Sequence, residues 1–172
     1  MGYPPEILLE AVANGLLMGA VYGLVALGLT LVYGVLHIIN LAHGALLTLA
    51  MYAAYGAHGA FGLDPYAAMV PLAGLFFVLG YLVQRLVIGP ASRGDDSNML
   101  LVTLGLSIII ENAMLAIFRS DTMTLRLPYA MSMVEMGDVL LSLPRLIGFG
   151  VTLLVALLLF VLMTRSDTGR AI

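Results

Sequence analysis

Apolar residues run almost unbroken through the first third of the chain. Residues 11–63 include no aspartate, glutamate, lysine or arginine. A single helix over Ile7–Ala57 would be roughly 75 Å long, more than twice the roughly 30 Å hydrocarbon core of a bilayer. The pattern therefore predicts at least one interruption. We place a broken or re-entrant region at Gly34–Asn40, where a glycine precedes a group of polar side chains.

The same pattern predicts about five transmembrane helices. Their expected bounds are Ile7–Tyr33, Leu41–Ala57, Ala67–Ile88, which ends at Gly89-Pro90, Met99–Phe118 and Leu146–Met163. A turn at His58–Tyr66 and a polar loop at residues 91–98 separate the middle helices. Two short apolar runs flank Gly137-Asp138, which predicts an external β-hairpin near residues 131–143. The expected fold is an all-α integral membrane protein.

Composition supports a chain that spans the membrane several times and contacts lipid. Hydrophobic residues make up 62% and charged residues 10%, whereas a soluble domain is about 25% charged. Cysteine and lysine are both absent, which excludes disulfides, thiol catalysis and Schiff-base chemistry. No basic patch is present, which argues against a nucleic-acid partner. We found no motif for an intramembrane protease, a haem or a metal, so we expect neither an enzyme nor a cofactor.

The arginines predict an orientation. If five helices cross the membrane in alternating directions, the seven arginines are divided four to three between its two sides. Arg85, Arg93, Arg165 and Arg170 lie on one side, and Arg119, Arg126 and Arg145 on the other. The positive-inside rule places the side with four arginines in the cytoplasm. The N-terminus is then outside, or inside if the interruption is re-entrant.

Three glycines on the first predicted helix recur at steps of four: Gly15, Gly19 and Gly23. Such a spacing forms one slowly drifting ridge without side chains, against which another helix can pack closely. Two interpretations stay open. The ridge packs within the chain, or it faces a translocation path or a partner subunit.

Polar side chains gather at the predicted interruption. His37, Asn40 and His43 are spaced i, i+3, i+6, and Tyr33 extends the same face. Unpaired polar groups are costly in hydrocarbon, so such clusters persist where they line a wet cavity or satisfy an interrupted backbone. Asn40 is placed to cap the second helix by accepting from the backbone N–H of Ala42 or His43. The alternatives are a tight interfacial turn and a two-histidine metal site, which has no carboxylate nearby.

Further polar candidates lie on the first and fourth predicted helices. Asn14 is on the first; Thr103 and Ser107 share a face of the fourth, and Glu111 lies about 10 Å from its outward end. An acid at that depth is a functional candidate. The alternatives are that Glu111 pairs with Arg119 or an asparagine, and that both hydroxyls bond to a preceding carbonyl.

Several runs of residues resemble permeases of branched-chain amino acid ABC importers, the first of two related permease subunits. They are Asn14-Gly15, Gly19-x-x-Tyr22-x-Leu24-x-Ala26-x-Gly28, Val32-Tyr33-Gly34, Ile39-Asn40-Leu41-Ala42-His43-Gly44, the run 101–107, Arg119-Ser120-Asp121 and Thr164-Arg165-x-x-x-Gly169-Arg170-Ala171. Two positions depart from the family: Ala45, where an acid is frequent, and Ala50-Met51, where a glycine-alanine step is usual.

The resemblance implies a bacterial inner-membrane importer of leucine, isoleucine or valine, with related members for urea or short amides. It implies a second permease subunit, cytoplasmic ATPases that hydrolyse ATP, and a periplasmic solute-binding protein. Asn40, His43, Thr103 and Ser107 are the preferred path-lining residues. Arg165, Gly169 and Arg170 would face the ATPase. Residues 1–172 correspond to the N-terminal part of the permease domain, and we expect a truncated product or partial gene.

Two other functions stay open. One is a proton-coupled secondary carrier or channel in which His37, His43 and Glu111 carry protons. The other is a membrane assembly protein that transports nothing.

Overall fold

The computed structural model describes residues 4–36, 39–92, 96–119, 121, 123–136 and 139–165. Its elements are α1 (Pro5–Leu36), α2 (His43–Phe61), α3 (Pro65–Val83), a π-helical turn (Gln84–Ile88), α4 (Gly89–Ser92), α5 (Asp96–Phe118), β1 (Met133–Met136), β2 (Val139–Ser142) and α6 (Leu143–Arg165). Five of the helices in this part of the chain have 19 or more residues. The predicted helical membrane fold with about five long helices is confirmed.

Four helices are long and apolar enough to cross a membrane. They are Ile7–Gly34, Pro65–Ala91, Asn98–Phe118 and Leu143–Arg165. Most of their large side chains are exposed; Val70, for example, is 79% exposed and Phe77 77%. Continuous apolar surface of this extent belongs against lipid or other membrane helices rather than water. The chain is therefore a multi-pass membrane protein.

The chain divides into two compact units, and each has its own small core. The first consists of Met1–Val35 with Arg126–Ile172, and the second of Leu36–Leu125. In the first, the buried side chains are Leu17, Leu141 and Thr152. A Cβ added to Gly148 of α6 would lie 3.9 Å from Cγ2 of Val21 on α1. That distance is an ordinary van der Waals contact, so α1 and α6 are neighbours at this point.

The first unit also contains the predicted hairpin. β1 and β2 pair antiparallel, with Met133 opposite Ser142 and Met136 opposite Val139. α6 begins directly after β2, so the hairpin lies at the start of that helix. Gly137 and Asp138, where the turn was predicted, are outside the described residues.

In the second unit, the turn between α2 and α3 is shorter than predicted. α2 continues to Phe61 and ends at Gly62, whose φ of 64° is the left-handed conformation that glycine adopts without strain. α3 then begins with Asp64 as its N-cap, because the Asp64 carboxylate accepts from the Tyr66 N–H at 2.9 Å. Pro65 occupies the first helical position, where its missing N–H costs nothing.

The prediction that the third helix ends at Gly89-Pro90 is wrong. A π-helical turn covers Gln84–Ile88, and the Gly89 N–H donates to the carbonyl of Gln84, five residues back. Pro90 has no N–H, and in a regular α-helix its ring would clash with the carbonyl four residues earlier. The wide π turn directly before Pro90 relieves that clash, so helical structure continues to Ser92. α5 begins at Asp96, inside the predicted loop 91–98.

The interruption lies slightly later than predicted. Gly34 is helical, since α1 extends to Leu36. Leu41 and Ala42 form a turn, and α2 begins at His43 instead of Leu41. We call residues 39–42 the interruption. His37 and Ile38 are outside the described residues.

Candidate functional site

Thr103 of α5 holds the interrupted backbone in the second unit. Its side chain is completely buried. The Leu41 N–H donates to the Thr103 Oγ1 at 3.3 Å. The same hydroxyl lies 3.4 Å from the carbonyl oxygen of Ile39 and 3.1 Å from that of Leu100. It has one proton, which it donates to one of these two oxygens at a time. Thr103 therefore satisfies backbone groups that the broken helix leaves without intrahelical partners.

Asn40 completes the local hydrogen bonding of the interruption. Its Oδ1 accepts from the Ala42 N–H at 3.0 Å, and its carbonyl accepts from the His43 N–H at 3.2 Å. The predicted bond to Ala42 is present. It closes an Asx turn ahead of the helix, because the helix itself starts at His43 with Ala42 as N-cap. Ala42 is fully buried, so this turn is packed within the second unit.

The imidazole of His43 follows the turn. Its Nε2 atom is buried and has no hydrogen-bond partner among the described residues. A buried ring nitrogen without a partner costs free energy. His43 directly follows the interruption, where the backbone N–H groups of Leu41, Ala42 and His43 all donate hydrogen bonds. His37, the second histidine of the predicted cluster, is outside the described residues.

Ser107 and Glu111 continue the polar face one and two turns beyond Thr103. Ser107 is buried, and its hydroxyl donates to the Glu111 carboxylate at 2.9 Å. Glu111 is exposed and lines a cavity of about 200 Å³ with Ala45 and Thr48 of α2. Among the described residues, the partner of Glu111 is therefore Ser107, and a pairing with Arg119 or an asparagine is not observed. Thr103, Ser107 and Glu111 form one polar stripe on α5.

A larger cleft of about 570 Å³ lies beyond this stripe, at the end of α5. Arg119 and Asp121 line it together with Tyr52 and Tyr55 of α2. Tyr52 and Arg119 also line the smaller cavity, so the two spaces share a wall. The rings of Tyr52 and Phe118 are 4.4 Å apart between centroids, which holds α2 against α5 here. Arg119 and Asp121 were not predicted as site residues, although they belong to one of the runs that resemble the permeases and are two opposite charges directly after a long apolar helix.

Asn14, in the first unit, forms hydrogen bonds to the hairpin and to α6. Its Nδ2 donates to the carbonyl of Leu140 at 3.3 Å and to that of Glu10 at 3.1 Å. Its Oδ1 accepts from Nη1 of Arg145 at 3.1 Å. These bonds connect α1 to β2 and to the first turn of α6. Its predicted path-lining role stays a prediction.

The remaining candidates are spread over the first unit. Gly15 and Gly19 line a groove of about 530 Å³ that Phe149 also borders. A Cβ at Gly15, Gly19 or Gly23 would meet no described side chain within 4 Å. Tyr33 is exposed on α1, and Arg165 is exposed at the end of α6. Gly169 and Arg170 are outside the described residues.

Comparison with known proteins places nearly the whole chain in one family. The family described as "Branched-chain amino acid transport system / permease component" matches residues 11–172. The chain belongs to this permease family. The relative BraD, a high-affinity branched-chain amino acid transport system permease protein of Pseudomonas aeruginosa, is 31% identical over 97% of this chain and 59% of its own length. LivH of Escherichia coli, a permease protein of the same description, is 28% identical over 60% of this chain.

The chain spans 59% of the length of BraD and 36% of that of LivH. No solved structure matches the chain. The resemblance noted at Asn40–Gly44 and along α5 is thus confirmed at the level of the family.

Proposed function

We propose that the chain forms part of the transmembrane pathway of an ABC importer for leucine, isoleucine and valine in the bacterial inner membrane. The match of residues 11–172 to the permease family carries this proposal. The named substrates of BraD and LivH support the choice of solute. The chain would work with a second permease subunit, cytoplasmic ATPases and a periplasmic solute-binding protein. ATP hydrolysis would occur on the ATPases, so this chain would carry out no chemistry and need no cofactor.

Within this function, the interruption and the polar stripe on α5 are the proposed path. Where the helical structure is interrupted, at residues 39–42, backbone N–H and C=O groups are available to bind a solute. Few intrahelical hydrogen bonds have to break there when the chain bends. Thr103 and Asn40 hold that segment, and His43 and Ser107 extend the polar lining. The exposed end of α6 at Arg165 would face the ATPase.

Uptake by cells tests the proposal. We expect deletion of the gene to reduce accumulation of radiolabelled leucine, isoleucine and valine, and reintroduction to restore it. Urea and acetamide are measured in parallel. Loss of urea or acetamide uptake with unchanged leucine uptake would contradict the branched-chain assignment.

The energy source separates an ABC importer from a proton-coupled carrier. We expect leucine uptake to continue when a protonophore abolishes the proton gradient while cellular ATP is maintained. It should stop when ATP is depleted. The opposite dependence would favour a carrier in which histidines and Glu111 move protons.

A further inference from the structure

The cleft at the end of α5 has the size and the mixed lining of a small-molecule site. Its volume of about 570 Å³ falls in the usual range for ligand pockets, roughly 300–1,000 Å³. One wall comes from α2 and the other from the segment that follows α5. Both walls belong to the second unit, so the cleft does not depend on how the two units are arranged.

The cleft contains one cation and one anion that have no partner in the described residues. Arg119 and Asp121 both line it, two positions apart. In the part of the chain that the structure describes, neither side chain forms an ion pair or a hydrogen bond. Both side chains are exposed, so their charged groups are free to contact a solute in the cleft.

The backbone at Arg119 is unusual. Its φ is 60°, and it is the only non-glycine residue in the described chain with a positive φ. The Arg119 N–H donates to the Leu115 carbonyl at 2.9 Å, which closes an αL helix end where glycine is ordinarily found. A glycine would make the same turn without strain. What arginine adds is a guanidinium group in the cleft, and strain retained in this way marks functional positions.

Apart from Tyr52 and Tyr55, the rest of the lining is apolar and adaptable. Met51 lies on α2, and Met123 and Leu125 follow Asp121 along the chain. Unbranched methionine side chains adjust to branched aliphatic groups of slightly different shape. The cleft thus joins a cation, an anion and an apolar surface within one space.

We propose that this cleft binds a zwitterionic aliphatic amino acid. The Arg119 guanidinium pairs with the α-carboxylate, a geometry that arginine favours. The Asp121 carboxylate accepts from the α-ammonium group, and Met51, Met123 and Leu125 contact the aliphatic side chain. The choice of solute depends on the proposed function. Tyr52 and Arg119 also border the smaller cavity that Glu111 lines.

Equilibrium binding tests the site separately from transport. The transporter, purified with its co-purifying subunits, is placed in lipid nanodiscs without any solute-binding protein, and binding of radiolabelled leucine is measured. Arg119→Asn removes the charge with a residue that tolerates positive φ. We expect the dissociation constant for leucine to rise at least about tenfold, since a charge-assisted bond is lost. Asp121→Asn should have a similar effect, whereas Arg126→Asn, an exposed arginine outside the cleft, should have none.

Competing ligands identify the contact of each residue. Leucinamide lacks the carboxylate, and 4-methylpentanoate lacks the ammonium group. In the unsubstituted transporter both should compete poorly with leucine. Arg119→Asn should reduce the preference for leucine over leucinamide, and Asp121→Asn the preference over 4-methylpentanoate.

Arg119→Gly distinguishes a loss of binding from a folding defect, because glycine relaxes the backbone at this position but lacks the guanidinium group. It should keep or raise thermal stability while losing leucine affinity, and Arg119→Lys should retain part of the affinity. Unchanged leucine binding in Arg119→Asn and Asp121→Asn, or no leucine binding by the unsubstituted transporter, would overturn the site. Either result leaves the importer assignment standing if cells still take up leucine. Absence of leucine uptake in cells would refute the importer assignment and, with it, the choice of leucine as the solute.

Discussion

Thr103 is the most constrained polar side chain in the second unit. It is completely buried, and its hydroxyl is within reach of backbone groups of Leu41, Ile39 and Leu100. Two of these belong to the interruption, more than 60 positions away along the chain. The hydroxyl therefore does more than bond to its own helix, which is the common role of a helical threonine.

We expect Thr103→Val to lower the free energy of unfolding by about 1–3 kcal/mol, because the Leu41 N–H is left buried without an acceptor. Thr103→Ser should keep most of the stability. Thr30→Val is the matched control: the Thr30 side chain is exposed, and within the described part of the chain its hydroxyl bonds only to the Ala26 carbonyl of its own helix. Thermal and SDS-induced unfolding in micelles, followed by circular dichroism, gives the comparison. Equal losses for Thr103→Val and Thr30→Val would show that the bond to the interruption contributes nothing.

Part of this residue-level arrangement was predictable. The i, i+4 spacing places Thr103 and Ser107 on one face of a helix, and the Asn40 side chain bonds to Ala42 as expected. The bond between Thr103 and Leu41 was not predictable, since it depends on how α2 and its preceding turn pack on α5. The same holds for the cleft at Arg119, which forms only when the segment after α5 folds back toward α2.

At the scale of elements, the hairpin depends on one asparagine of a distant helix. Asn14 of α1 bonds to the carbonyl of Leu140 on β2 and to the guanidinium of Arg145 on α6. A two-stranded sheet is marginally stable by itself. The hydrogen bonds from Asn14 of α1 therefore contribute to the stability of the hairpin.

We expect Asn14→Ala to increase amide hydrogen exchange over Val139–Ser142 and to leave exchange in α5 unchanged. Asn112→Ala is the control: among the described residues, the Asn112 side chain bonds only to the Ile108 carbonyl of its own helix, and it is exposed where Asn14 is half-buried. Mass spectrometry of the protein in nanodiscs measures both. Unchanged protection of β2 in Asn14→Ala would mean that the contact with α1 is incidental.

Element types were easier to predict than element ends. Long apolar runs require helices in a membrane, because every backbone group needs an internal partner. The hairpin at 133–142 follows from two short runs around Gly137-Asp138. The continuation across Gly89-Pro90 was missed because proline ordinarily stops a helix, and only a π-helical turn makes it compatible. α2 ends at Gly62 instead of Ala57 because Gly62, out of several glycines in this region, adopts the left-handed conformation.

For the whole molecule, the decisive question is how deep the interruption lies. Four helices qualify as membrane spans by length and composition, and α2, which follows the interruption, is outside that set. We expect residues 39–42 to lie within the bilayer, where bonds from Thr103 and Asn40 replace those that water would supply at its surface.

Cysteine labelling tests this depth without background, because the chain contains no cysteine. A membrane-impermeant maleimide needs a hydrated thiolate. We expect Leu63→Cys, in the turn between α2 and α3, to react rapidly from one side of the membrane. Leu157→Cys, exposed in the middle of α6, should react only after detergent is added. Ile39→Cys should react far more slowly than Leu63→Cys despite its 51% exposure. Equal rates at positions 39 and 63 would place the interruption in bulk water and remove it from the solute path.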